Sequence, residues 1–160
     1  MAKTLFDGGF DQLDRAILEE LQVNSRISVA DLARKIHLSP PAVYQRIKRL
    51  ERAGVIQQYV ALLNREMIGS DLLCFIGVNI QPHTKAQLDG FQKKVEALSM
   101  VLECYRTAGS HDLLLKVAVA DHKELDRFIA EQLMTLPGID RVDVSPVLNE
   151  MKSTTAFKLK

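Results

Sequence analysis

Apolar residues recur with two different periods along this chain, and the change of period divides it. In the first third the spacing is helical. Leu13, Ile17 and Leu21 repeat behind Asp11, a side chain suited to an N-cap, which predicts a helix from about Gln12 to Gln22. Asn24-Ser25-Arg26 interrupts it, and Ser28 opens a second, shorter helix whose inward residues are Leu32, Ala33 and Ile36 before His37-Leu38 closes it. Ser39 is a third N-cap, with Pro40 and Pro41 in the first turn, where a missing N–H leaves nothing unpaired. Val43, Ile47 and Leu50 then face inward, and Gly54 suits the left-handed position that ends the helix. Val55-Ile56 and Tyr59-Val60-Ala61-Leu62 alternate like two small strands about Gln57-Gln58, which predicts a wing beside three tightly turned helices.

Past a turn-rich hinge at residues 64–71 the pattern becomes strand, helix, strand, twice over. Leu72–Ile80, Val101–Ala108, Leu113–Val119 and Val142–Val147 read as strands. Lys85–Leu98 reads as a helix with Leu88, Phe91, Val95 and Leu98 on one side, and His122–Leu136 as another with Leu125, Phe128, Ile129 and Leu133 inward. Two such units most simply interleave as a ferredoxin-like βαββαβ sandwich, both helices on one face of an antiparallel sheet. Thr154–Leu159 is a candidate further strand. Leu73 and Phe75, and Leu114 and Ala118, point away from the helix-covered side, so the second sheet face is apolar as well. A patch of that kind predicts a homodimer built face to face.

Charge sharpens the division. Over all 160 residues the formal net charge is only +1, which excludes a protein held to nucleic acid by bulk charge. Residues 1–25 carry two basic and five acidic residues, whereas residues 26–52 carry seven basic and two acidic, so the basic character is confined to the second and third helices. No apolar run approaches the roughly 18 residues of a bilayer span, and the first residues lack the apolar stretch of a signal peptide. Cys74 and Cys104 are far apart, which offers neither a disulfide framework nor a zinc site and fits a reducing, cytoplasmic setting. Both read as small apolar residues. His37, His83, His111 and His122 have no spacing that places two on one helix face, so no metal is expected.

The third helix carries the candidate chemistry. With Val43, Ile47 and Leu50 inward, Pro41, Ala42, Gln45, Arg46, Arg49 and Arg52 read as outward and Lys48 as flanking. Such a face fits a DNA major groove: Ala42 against a thymine methyl, Gln45 on adenine, Arg46 or Arg49 on guanine. Lys48, Arg52, Arg26 and Arg34 suit phosphates. Tyr44 could stack on the backbone or pack under the wing, and packing is the preferred reading. A charge run alone is more often a solvated helix face; three capped helices and a wing favour double-stranded DNA.

Residues 10–18, Leu32-Ala33, Leu38-Ser39-Pro40 and the run Val43–Ile56 closely resemble the Lrp/AsnC (feast/famine) family of prokaryotic transcription regulators. The far half agrees through Thr107–Leu115, Leu136-Pro137-Gly138-Ile139 and Glu150–Thr155. The resemblance implies an α+β chain: a 1–9 extension, a winged helix-turn-helix at 10–63, the hinge, and a ferredoxin-like effector-binding and oligomerisation domain at 72–160. It implies dimers that associate further, often to octamers, an amino-acid effector bound between subunits, and a DNA-reading third helix whose first turn includes Ser39. The family's effector loop falls on Ala108, Gly109, Ser110, His111 and Asp112. Gly109 and Asp112 keep its pattern, while Ser110 and His111 stand where relatives often have an acidic residue and an aromatic.

The chemistry of that loop suits such a ligand. Asp112 can meet an ammonium and backbone N–H groups near Gly109 a carboxylate. An ordinary β-turn, with glycine supplying a positive φ and Asp as turn former, explains the same residues. Leu136, Gly138 and Ile139 are likewise a helix stop or, by resemblance, a pocket wall supplied by a neighbouring subunit. Ser110, His111 and Asp112 contain the residue types of a hydrolase triad, but one short turn cannot align them in series, so no enzyme and no cofactor are expected. The reading is therefore a sequence-specific regulator modulated by an amino acid. Its alternatives are an architectural DNA-coating protein and a small-molecule sensor whose helices bind protein.

Overall fold

The computed structural model describes residues 9–81 and 85–159, which fall into two compact units. The first comprises residues 9–61 together with 152–159, and the second comprises residues 62–151.

In the first unit α1 (Gln12–Val23), α2 (Val29–Lys35) and α3 (Pro40–Arg52) enclose a core of Ile17, Leu18, Leu32, Ala33, Val43 and Leu50. The caps explain the boundaries. Asp11 accepts from the Leu13 and Asp14 N–H groups while Asp14 reaches back to the Asp11 N–H at 3.0 Å, a reciprocal capping box. Ser28 caps α2 through the Asp31 N–H. Ser39 sits at the α3 N-cap without a side-chain cap bond; Pro41, in the second helical position, has no N–H to offer it. The helix ends in a Schellman motif: the Gly54 N–H bonds Glu51 O, the Val55 N–H bonds Leu50 O, and Gly54 takes φ +71°.

The turn between α2 and α3 uses the same motif with an unexpected residue. The Leu38 N–H bonds Ala33 O, and His37 occupies the left-handed region at φ 55°, where glycine is the unstrained choice.

Two sequence expectations fail in this unit. The two small strands about Gln57-Gln58 do not form: Val55 and Ile56 pack against the helical core, and residues 57–64 run on without pairing. Gln57-Gln58 lacks the Gly or Asn that a tight hairpin turn needs, and Tyr59 instead donates its hydroxyl to Glu51. Nor is Thr154–Leu159 a strand of the sandwich. It is grouped with the helices, where Leu159 packs on their core, the Gln22 side-chain amide donates to Phe157 O and the Phe157 N–H donates back to it.

The second unit is an antiparallel sheet in the order β2-β3-β1-β4, formed by β1 (Leu72–Ile80), β2 (Val101–Arg106), β3 (Leu113–Val119) and β4 (Ile139–Pro146). This is the ferredoxin-like order. Cys74, Ile76, Val78 and Ile80 of β1 and Leu113, Leu115, Val117 and Val119 of β3 meet Phe91 and Val95 of α4 (Lys85–Val95) and Leu125 and Phe128 of α5 (His122–Phe128) in one core. The expected inner residue Leu98 packs on it just past α4; the side chain of Leu88, and His83, lie outside the described residues. The continuous helix expected to Leu136 breaks after Phe128 into a π-helical turn, Ile129–Leu133, with the Met134 N–H bonded to Ile129 O. The extra residue per turn carries Leu133 and Leu136 into the core. No described helix is long and apolar enough to cross a membrane.

His37→Gly should raise the stability of the helical unit by up to about 1 kcal/mol, the left-handed strain less glycine's entropy cost. Thermal unfolding of the full chain checks this.

Candidate nucleic-acid interface and ligand-binding loops

Helical geometry decides which α3 side chains can meet a partner. Measured around the axis from the inward direction of Val43, Ile47 and Leu50, residues 41, 45, 48 and 52 lie diametrically outward, 44 and 49 flank them, and 46 lies nearer the core. Pro41, Tyr44, Gln45, Arg49 and Arg52 are exposed, whereas Ala42, Arg46 and Lys48 are intermediate. Tyr44 does not pack under a wing. It is 48% exposed, with the Lys48 ammonium 5.7 Å from its ring centre.

Arg49 is exposed as expected and Arg46 less so, and both reach back to α1. Asp14 is the one buried charged residue among the described residues, at 0% exposure. Arg46 Nη1 donates to Asp14 Oδ1 at 2.9 Å and to both Asp11 oxygens at 2.8 Å, and Arg49 bonds Asp14 Oδ2 and lies 5.3 Å from the Phe10 ring centre. A carboxylate taken out of water must be paired, and these two guanidiniums pair it and link α3 to α1. The backbone bond from Asp14, with Arg46 beside it, holds the Asp11 carboxyl below its ordinary range, and Arg46 is held more firmly cationic by the same pair.

Other candidates keep free valence. Arg26 and Arg52 form no ion pair among the described residues, and Ser39 is exposed with its hydroxyl outside the cap. Arg34 pairs with Asp31, and Lys48 with Glu51 at 2.7 Å, which raises the lysine pKa and lowers the glutamate's. The outward strip is therefore Pro41, Gln45, Lys48 and Arg52, flanked by Tyr44.

At the other unit's sheet, the 108–112 and 136–139 segments both attach to the end of β1. Asp112 Oδ2 accepts from the Ile80 N–H at 2.9 Å and the Asp112 N–H donates to Val78 O. The Gln81 N–H donates to Gly138 O at 2.7 Å, and Ile139 pairs with Ile80. Leu136 is a core residue and Ile139 packs on that core, so neither offers a free pocket wall within the chain. Ala108, Gly109 and Ser110 are exposed. Gly109 has no positive φ and nothing lies within 4 Å of where its Cβ would be, so open backbone, not a left-handed turn, is what glycine supplies there. His111 turns back onto the sheet: its Nδ1 lies 3.2 Å from Asn79 Oδ1 and 3.6 Å from Asp143 Oδ2. Neither Asn79 nor Asp143 was legible as a site residue. Asp14 was partly legible, because the spacing Asp11-x-x-Asp14 is a capping-box pattern.

Both cysteines are free. Cys74 is buried; Cys104, expected to resemble it, is exposed on edge strand β2, and desolvation pushes both thiols above their ordinary range.

Residues 10–57 match the family model for a winged helix-turn-helix DNA-binding domain, and residues 73–157 match that for the Lrp/AsnC ligand binding domain. The leucine-responsive regulatory protein of Haemophilus influenzae is 37% identical over 150 residues, covering 94% of this chain and 90% of that protein. Its counterpart in Escherichia coli K12 is 35% identical, covering 94% and 92%. Among solved structures, a transcriptional regulator from Neisseria meningitidis in complex with L-Met matches with TM-score 0.90 at 34% identity, covering 94% of this chain and 97% of that one. Escherichia coli AsnC matches with TM-score 0.84 at 28% identity, covering 92% and 97%.

Arg46→Ala should destabilise the helical unit by on the order of 3 kcal/mol, because it strips a buried carboxylate of one partner, whereas Gln45→Ala should leave melting unchanged. Asp11, with its depressed carboxyl, contributes stability at pH above its ordinary 3.8 that is lost as pH falls through its folded value. Acid unfolding of Asp11→Asn should accordingly show a shallower pH dependence than the parent chain.

Proposed function

The chain belongs to the Lrp/AsnC family of DNA-binding transcriptional regulators, and from that membership we propose how its residues divide the work. The strip Pro41, Gln45, Lys48 and Arg52 enters the major groove, with Gln45 reading a base edge and Lys48, Arg52, Arg26 and Ser39 on phosphates. Arg46 and Arg49 serve as the brace behind that strip. The observation that carries this reading is the separation of α3 into an outward polar strip and a flank locked to Asp14. A reading helix must be presented rigidly, and two guanidiniums on one buried carboxylate supply that rigidity.

The effector is an amino acid held at the β1 end of the sheet. The relative whose structure contains L-Met supports that ligand class. Asp112 supplies the negative charge and the open backbone of residues 108–110 the donors. A ligand there alters DNA affinity only through unequal binding to two states of the assembly.

Assembly proceeds through the open sheet face. Phe75 and Tyr105, on that face by their register, are 38% and 52% exposed. A second copy is the natural cover for such a face, and further association to an octamer follows the family's habit. The cell compartment consistent with these partners is the cytoplasm.

Duplexes selected from random DNA should bind with an affinity that falls with salt at a log–log slope near −0.9 per phosphate contacted. Gln45→Ala should cost about 1–3 kcal/mol and relax preference at one position, whereas Arg52→Ala should weaken all sequences alike and flatten the slope. A specificity ratio near one against unrelated duplex would favour DNA coating instead. Phe75→Glu should convert the assembly to smaller species on gel filtration. Asp112→Asn keeps an acceptor for Ile80 but removes the charge; it should abolish the thermal shift given by L-Met, and an unchanged shift would remove Asp112 from the site.

A further inference from the structure

We propose that Glu51 is a positioning residue that sets how selectively α3 takes DNA: its carboxylate holds the Lys48 ammonium in place, so that this cation serves a docked phosphate and not a passing one. This rests on reading the outward strip of α3 as the DNA-facing surface.

Three observations converge on that carboxylate. The first is how its two oxygens are used. Lys48 Nζ donates to Oε2 at 2.7 Å and the Tyr59 hydroxyl donates to Oε1 at 3.2 Å, so the group is held both from its own helix and from the segment that follows it. Burial and the Glu51 charge keep the Tyr59 phenol above its ordinary range, so the hydroxyl stays a donor. The second is the seat of the ammonium. It lies 5.7 Å from the centre of the Tyr44 ring, one helical turn earlier, so ring and carboxylate bracket the charge along one flank of the strip. The third is that the fold does not require the pair. Asp14 is wholly buried and must be neutralised, whereas Glu51 keeps 27% of its side chain in water. An exposed pair three residues apart on a helix adds little to stability. A carboxylate at the edge of a surface that meets a polyanion therefore acts chiefly on binding.

Loose encounters between a protein and duplex DNA are driven by neutralised phosphates and released counterions. In such an encounter the Lys48 charge is already cancelled by its partner, and the carboxylate itself repels. An ammonium has three donors; with one on Glu51 and the Tyr44 ring close by, Lys48 reaches a phosphate only from the side left open. A duplex docked in register can place a phosphate there, which then shares the ammonium without breaking the pair. Arg52 carries no such restriction: its Nε donates to the Lys48 carbonyl, and it forms no ion pair among the described residues. The Glu51 carboxylate thus acts against wrong complexes more than for the right one, which is how a repulsive element raises specificity.

Binding of the full-length protein to a selected and to an unrelated duplex, each followed across salt, tests this. Glu51→Gln keeps an acceptor for Tyr59 and frees Lys48. Its affinity for unrelated duplex should rise roughly two- to fivefold, the size of an exposed ion pair, and its log–log slope there should steepen by up to about 0.9, one further phosphate. Affinity and slope on the selected duplex should change less, so the specificity ratio falls. Tyr59→Phe, which leaves the net charge unaltered, should move the ratio the same way by less. Glu19→Gln, an equal change of charge at a paired residue of α1, should leave the ratio alone. Equal gains on both duplexes, no gain on either, or the same fall in ratio from Glu19→Gln overturns the proposal, and a Tyr59→Phe chain that binds like the parent overturns the part given to Tyr59. If Arg52→Ala leaves the slope unchanged on both duplexes, α3 is not the DNA-facing helix and the proposal falls with that reading. If Arg52→Ala flattens the slope while Glu51→Gln changes nothing, the reading stands and the proposal alone falls.

Discussion

A single buried carboxylate organises the helical half of this protein. Asp14 has no exposure to water, and its charge is met by Arg46 and Arg49 across the contact between α1 and α3. Apolar packing of Ile17, Val43 and Leu50 brings the two helices together, but it is non-directional and would tolerate some rotation of α3. The ion pairs are directional. They fix which side of α3 faces away from the helical core, and hence that Pro41, Gln45, Lys48 and Arg52 are presented together. The capping box places the same Asp14 at the first turn of α1, so one side chain both starts that helix and locks the third.

The sandwich solves a different problem. Its core face is closed by α4 and α5, and the π-helical turn after Phe128 carries Leu133 and Leu136 into that core. The far face carries Phe75 and Tyr105 in the open, beside a polar patch of Asn79, His111, Arg141 and Asp143. The 108–112 loop is anchored at its end: Asp112 caps the end of β1, and the His111 imidazole rests on Gly77. Loop position, strand end and open face are thereby tied through adjacent residues of one chain.

Much of this was legible in the residues themselves. Asp11, Ser28 and Gly54 mark helix ends by the hydrogen bonds their types can make, and the structure uses each of them. The alternation from Leu72 to Ile80 gave the buried face of β1 correctly. Failures arose where a residue's role depends on something distant. Arg46 reads as outward because a basic residue on a helix is usually solvated, yet Asp14, more than thirty residues away, draws it inward, while Arg49 pairs with the same carboxylate and stays exposed. The wing strands and the terminal strand were inferred from alternation alone, which records suitability for a sheet without supplying a partner. His37-Leu38 marks the end of α2, but nothing local shows that this histidine will take the left-handed conformation in place of glycine.

Periodicity, capping chemistry and the confinement of basic residues to one segment thus determined the two kinds of unit, the order of the strands and the helix whose outward face is basic. These are local properties, set by side-chain spacing of a few residues and by hydrogen bonds to near neighbours. Tertiary structure alone decided which cations brace and which remain available, that Leu136 belongs to a core, and that His111 lies on Gly77 against Asp143. Those assignments depend on desolvation and on contacts between residues about thirty positions apart, and a buried charge or an unfilled Cβ position exists only once the chain has closed around it.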